Sequence, residues 1–189
     1  MIGVKTESEN LTKIHSMVLI AVFAALTSVG GFIRLPMYPV PFTLQTLFVY
    51  LSGLLLGAQR SGLSQLLFLS MGLAGIPVFA QGGGPAYVLQ PSFGYLAAFP
   101  LSAYVCGKIS RSGNNTRSFF KRILACSTGA LLILAIGSLY LYFNLNYIVQ
   151  SSLSFWKTII TGFVLFLPAE ALKCLITVGM TSKIVKISA

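Results

Sequence analysis

Long apolar stretches fill this chain, separated by short connections that are polar, proline-rich or glycine-rich. A spanning helix needs about 17–25 mostly apolar residues, fewer where it is short or re-entrant. On that rule the pattern predicts six helices, at about 15–33, 43–58, 63–79, 92–107, 123–143 and 155–183. The second is short for a full span. A polar N-terminal segment, 1–14, precedes them, and no small-residue cleavage site follows the first apolar run, which therefore reads as a retained helix. The expected class is all-α integral membrane, one domain over 1–189, with both termini on the same side.

Composition narrows the class. Charged residues make up only 8% of the 189 positions and mean hydropathy is +0.85, whereas soluble domains carry about 25% charged residues. The net charge of +10 could suggest nucleic acid, but the basic residues sit between apolar segments, where the positive-inside rule expects them. With the N-terminus inside, Lys5, Lys13, Arg60, Lys108, Arg111, Arg117, Lys121, Arg122, Lys183 and Lys186 fall on inner segments, against Arg34 and Lys157 outside. Ten against two orients the chain with both termini cytoplasmic. Tyr140, Tyr142, Tyr147 and Trp156 then form an aromatic belt at the outer interface.

One pair breaks the apolar pattern. Glu170, the only acid after Glu9, and Lys173 lie three residues apart inside the last predicted helix. Asp, Lys and Arg at a helix centre each cost about 2.5–3.5 kcal/mol on insertion scales, and Glu belongs with them. At i and i+3 the two side chains share a helix face and can touch. Pro168 removes the amide that would bond the Val164 carbonyl, so a kink is expected just before the pair. Two readings stay open: an ion pair that staples neighbouring helices, or a polar ligand site near mid-membrane.

Two outer connections are unusual. Arg34–Thr43 holds Pro36, Pro39 and Pro41, and Ala80–Pro91 is uncharged and glycine-rich, with Gln81, Tyr87 and Gln90. Irregular backbone at membrane depth is tolerated where it is buried or lines a cavity. These segments are therefore either plain connectors or covers that fold back over the bundle. On the helices, Ala21 and Ala25 form an A-x-x-x-A and Gly53 and Gly57 a G-x-x-x-G, spacings that permit close helix approach within the chain or to a partner.

Several functions are excluded. Gly107-Lys108 is followed by Ile109, and Ser102 stands where a P-loop would need its first glycine, so the chain has no such ATP site. His15 stands alone, and Cys106, Cys126 and Cys174 have no paired spacing, which argues against a metal or disulfide framework. There is no nucleophile with its base and no carboxylate pair. An enzyme is not expected, and uphill transport would draw energy from elsewhere.

Four segments in order, Val40-Pro-Phe-Thr-Leu-Gln-Thr-Leu47, Gly72-Leu-Ala-Gly-Ile-Pro-Val-Phe79, Gln90-Pro-Ser-Phe-Gly-Tyr95 and Pro168-Ala-Glu-Ala-Leu-Lys173, resemble the BioY family. That family comprises the biotin-binding S components of energy-coupling-factor (ECF) transporters, and the resemblance covers nearly the whole chain. Ala169 and Glu170 stand where the family usually has Gly and Asp, lengthening the carboxylate by one methylene. The resemblance implies a six-transmembrane-helix S-component bundle in the cell membrane with an outward-facing vitamin pocket. It also implies coupling to a transmembrane T component and two cytoplasmic ATPases, and likens Ala21 and Ala25 to the face that meets the T component. Biotin would be the transported ligand, with no cofactor.

Biotin's ureido ring presents two N–H donors and a carbonyl, which a carboxylate and an ammonium match in both directions. Glu170 and Lys173 are accordingly the central candidates. Phe42, Phe79, Tyr87 and Phe93 suit the apolar parts, Arg34 could meet the ligand carboxylate, and Tyr38, Gln45, Gln81 and Gln90 are further candidates from the same segments. The alternatives are an S component for another small vitamin and a structural membrane adaptor.

Overall fold

A computed structural model describes residues 2–112, 118–151 and 154–187, with side chains over 12–112, 118–151 and 154–184. Glu9, Lys5, Arg117 and Lys186 lie outside the residues whose side chains are described. The chain is mainly helical: α1 (Ile2–Phe32), a two-stranded hairpin of β1 (Arg34–Leu35) and β2 (Phe42–Thr43), α2 (Gln45–Leu56), α3 (Ala58–Leu73), α4 (Phe93–Ala97), α5 (Phe99–Arg111), α6 (Phe119–Phe143), α7 (Phe155–Gly162) and α8 (Leu167–Ile187). Thr12–Phe32, Phe119–Ile148 and Phe155–Ile184 are long and apolar enough to cross a membrane, while Gln45–Leu56 is a shorter apolar helix.

The short second helix is the centre of the bundle. Val49, Tyr50, Leu51, Ser52, Leu54 and Leu56 of α2 are all buried, which explains why it is apolar on every side. It touches α1, α3, α5, α6 and α8. Gly53 and Gly57 serve this internal packing. A Cβ on Gly53 would lie 2.9 Å from the Cys106 side chain of α5, and Gly57, at φ 80°, turns the chain directly from α2 into α3. Polar contacts join the remaining helices: Ser61 donates to the Ala103 carbonyl at 3.0 Å, Ser102 to the Gly129 carbonyl at 2.9 Å, and Gln65 Nε2 to Thr27 Oγ1 at 3.2 Å. Interhelical hydrogen bonds and small residues do this work where lipid supplies no hydrophobic drive. The three cysteines are free and buried.

Several expected boundaries move, each for a local reason. The first helix reaches back to Ile2 instead of starting near His15; no Pro or Gly interrupts Val4–Val29. The third starts at Ala58, not Leu63, and stops at Leu73, not Phe79. Gly75 (φ 103°) ends it, with the Ile76 amide donating to the Met71 carbonyl at 3.1 Å, a Schellman-type stop. The fourth divides into α4 and α5, since Pro100 lacks the amide that would continue the ladder. The sixth breaks through a 3-10 turn at Val164–Phe166. Pro168 thus lies in the first turn of a new helix, where its missing amide costs nothing, rather than at a kink inside one.

Alternation of the helices sets two ends. The β-hairpin, the 74–92 segment and the α6–α7 connection lie at one end; the α2–α3 turn and the end of α5 lie at the other. Val29, Leu63, Leu131, Leu139, Leu172 and Leu175 point outward and are exposed, as a bilayer-facing surface requires.

Candidate functional site

Glu170 sits in the first turn of α8 because the chain breaks just before it. A carboxylate there is stabilised by the helix dipole, an arrangement unavailable in the middle of a continuous helix. Lys173, one turn on, meets it at 2.7 Å, and the two residues are 4% and 3% exposed. Thr46 and Tyr50, one turn apart on α2, complete the cluster. Thr46 Oγ1 donates to Glu170 Oε1 at 3.0 Å and accepts from Lys173 Nζ at 2.8 Å. Tyr50 donates to Glu170 Oε2 at 2.6 Å.

Counting bonds shows what this cluster can still do. A carboxylate offers about four acceptor sites and an ammonium three donors. Among the described residues Glu170 Oε1 accepts two bonds but Oε2 only one, and Lys173 Nζ donates two. The third ammonium proton is left with the Phe42 ring, whose centroid lies 4.1 Å from Nζ, a weaker attraction than a hydrogen bond to a desolvated oxygen. One acceptor and one good donor therefore remain side by side, on a pair that is neutral overall.

That pair opens on a cavity lined by Phe42, Gln45, Thr46, Tyr87, Tyr95, Phe99, Phe166, Glu170 and Lys173, among others. About 50 Å³ of it is open to the centres of water-sized molecules, room for a few waters at roughly 10–15 Å³ each. Phe166 lies near Phe42 (ring centroids 6.5 Å apart) and Tyr95 (6.2 Å). Tyr95 also donates to the Gly162 carbonyl at 2.7 Å, occupying a backbone acceptor just before the break between α7 and α8. Gln45 is 1% exposed, accepts from Thr43 at 3.2 Å, and has an amide nitrogen with no partner among the described residues.

Pro41 and Ala80 wall this cavity on one side and a wider outer depression of about 830 Å³ on the other. Arg34, Tyr38, Phe79 and Gln81 line the outer one. Arg34 donates to the Ala80 carbonyl, joining the two irregular segments across that wall. The turn at Pro85–Leu89 is anchored in its own way: Tyr140 donates to the Val88 carbonyl, and Asn144 to the Leu89 carbonyl at 2.8 Å.

The sequence profile of the BioY family matches residues 5–189. The chain belongs to the BioY family. "Probable biotin transporter BioY" of Lysinibacillus sphaericus is 48% identical over 79% of this chain and 76% of its own length. "Biotin transporter BioY" of Thermotoga maritima is 33% identical over 92% and 97% respectively. Among solved structures, the S-component for biotin from an ECF-type ABC transporter matches with a TM-score of 0.78 and 27% identity, over 94% of each chain. This BioY chain thus has the S-component fold and is a multi-pass membrane protein of a transport family, not an enzyme.

The residues expected from the sequence of this BioY chain divide into three groups. Glu170, Lys173, Phe42, Gln45 and Tyr87 meet at the inner cavity. Arg34, Tyr38, Phe79 and Gln81 line the outer depression; Phe79 is itself buried, its ring 4.7 Å from that of Tyr87. Gln90 is exposed and Phe93 packs on Tyr140 at 5.9 Å, and neither lines either cavity. Thr46, Tyr50, Tyr95 and Phe166 were not among the candidates. The available signal was the spacing of Thr46 and Tyr50, two hydroxyls four residues apart on a mostly apolar helix.

Proposed function

We infer that this chain is the substrate-binding membrane subunit of a biotin uptake system. The observation that carries the reading is the buried Glu170–Lys173 pair with one acceptor and one donor unused. A ureido group fits that pattern: one N–H to Glu170 Oε2 and its carbonyl to Lys173 Nζ, without breaking the inner bonds. Such charge-assisted bonds are about twice as strong as neutral ones. Phe42, Tyr87, Tyr95 and Phe166 offer apolar cover for the sulfur-containing ring and the valeryl chain. Arg34 and Tyr38 would receive the ligand carboxylate at the outer mouth, and the Pro41–Ala80 wall would part to admit it. Both relatives and the matched S-component carry biotin in their names, in line with this chemistry.

Uphill uptake draws its energy from a partner in this reading, since the sequence holds no P-loop. In this reading a transmembrane T component and two cytoplasmic ATPases energise the chain, with both its termini inside. Ala21 and Ala25 are exposed on α1 while Ala24, Thr27 and Ser28 turn inward, so the A-x-x-x-A face is open for close helix approach. Replacing both with Trp should abolish energised uptake yet leave ligand binding intact; loss of both would assign the face to folding. The reading as a whole is tested by equilibrium binding of labelled biotin to the purified protein, with thiamine and riboflavin as competitors. Saturable binding displaced by biotin alone is expected, and no binding, or displacement by another vitamin, would refute it.

A further inference from the structure

At the end of the bundle remote from Glu170, a cleft of about 460 Å³ lies between the α2–α3 turn and the end of α5. Its lining includes Arg60, Lys108 and Arg111 and no acidic residue. Lys108 and Arg111 are three apart on α5 and so share a face. Arg111 is held in position: its Nη2 donates to the Leu55 carbonyl at 2.8 Å, and its guanidinium lies where a Cβ on Gly57 would come within 2.6 Å. One carbonyl leaves most of its five donors unused. Arg60 and Lys108 are exposed, with no carboxylate partner among the described residues.

The cleft does not stand alone. Gln59 and Tyr104 line it and also line an apolar groove of about 580 Å³ formed by Gly62, Leu63, Leu66, Pro100 and Leu101. Gly62 lines the groove; a Cβ there would already stand in ordinary contact with Pro100 and Tyr104, at 3.6 Å, so a larger side chain would project into it. α3 leads away from the basic end and α5 leads towards it, so the groove runs from the cations into the apolar belt. A soluble anion has no use for such a groove, and a neutral lipid has no use for three cations.

We propose that the Arg60–Lys108–Arg111 cleft and the Gly62–Leu66 groove form a site for one anionic phospholipid, its phosphate head group among the cations and an acyl chain along α3 and α5. Basic pockets between spanning helices hold anionic head groups by this combination of charge and apolar continuity. The site is separate from the vitamin cavity.

The test uses the full chain in nanodiscs of phosphatidylcholine containing a minor fraction of phosphatidylglycerol, followed by native mass spectrometry of the lipids retained. The parent should keep phosphatidylglycerol in preference to phosphatidylcholine. Arg60→Gln, Lys108→Gln and Arg111→Gln combined should reduce that preference roughly a hundredfold, from about fivefold per cation. Gly62→Leu should reduce retention with every cation in place, and free glycerol phosphate should not compete. A Lys13→Gln, Lys121→Gln, Lys157→Gln control, equal in charge change, should retain the lipid. Equal retention of both lipids by the parent, an unaffected triple variant, or equal loss in the control would each overturn the proposal. So would an intact lipid preference in a triple variant that has lost only energised uptake, which would make the cleft a protein contact.

Discussion

The two ends of this bundle use the same kinds of side chain in opposite ways. Near the end that carries the β-hairpin and the 74–92 segment, one acid and one base are nearly fully buried and bonded to each other and to two hydroxyls. At the far end, Arg60, Lys108 and Arg111 stand exposed without an acid in the cleft they line. Burial turns the first set into directional hydrogen-bonding groups with no net charge, fitted to a neutral polar ring. Exposure leaves the second as a screened positive field, fitted to an anion and tolerant of its exact pose. Charge alone therefore says little about function in a membrane protein; pairing and depth decide it.

The contrast predicts unequal sensitivity. Glu170→Ala strands the Lys173 ammonium in a buried site, a destabilisation of about 3–5 kcal/mol. Biotin binding measured by isothermal titration should fall by two to three orders of magnitude, and the unfolding temperature should fall with it. Tyr50→Phe removes a single bond to a carboxylate, worth about 1.5–3 kcal/mol. Affinity should drop roughly tenfold or more by the same measurement, because Glu170 Oε2 loses the partner that fixes its position. Thr46→Val removes a hydroxyl bonded to both the acid and the base, and a comparable loss is expected by the same measurement. At the opposite end, Arg60→Gln with Lys108→Gln should leave biotin affinity unchanged within about twofold, since distant sites add independently. A large effect there would couple the two ends and break the comparison.

What the sequence made legible follows from the energy of each feature. A charge pair in an apolar span is costly enough to stand out, so Glu170 and Lys173 were visible at once. The apolar part of α1 and the long α6 were equally plain from their apolar length, whereas the polar first turns of α1 were not. Thr46 and Tyr50 were not, because a hydroxyl in a membrane helix usually returns to its own backbone, as Thr27, Thr177 and Thr181 do here. Only the fold shows that α2 is central and that its hydroxyls face α8. The break at Pro100 was hidden by continuous hydrophobicity, which measures burial or lipid contact but not backbone hydrogen bonding, whereas Pro168 announced a disruption just before Glu170 but not that it is a full break through Val164–Phe166. Gln90 and Phe93 belong to a segment that runs beside the cavity, where Val88 and Leu89 are anchored to α6, and neither residue lines its wall.

The central claim is that the buried cluster exists for its ligand and not to hold the helices together. Replacing a buried ion pair and its partners by apolar groups of similar size is often neutral or stabilising by about 1–4 kcal/mol. The direct measurement combines Thr46→Val, Tyr50→Phe, Glu170→Leu and Lys173→Met in one chain and records both thermal unfolding and biotin binding. A variant that unfolds at or above the parent's temperature and binds no biotin is the predicted result. One that still binds biotin within a few-fold of the parent, or that no longer folds, would contradict the account.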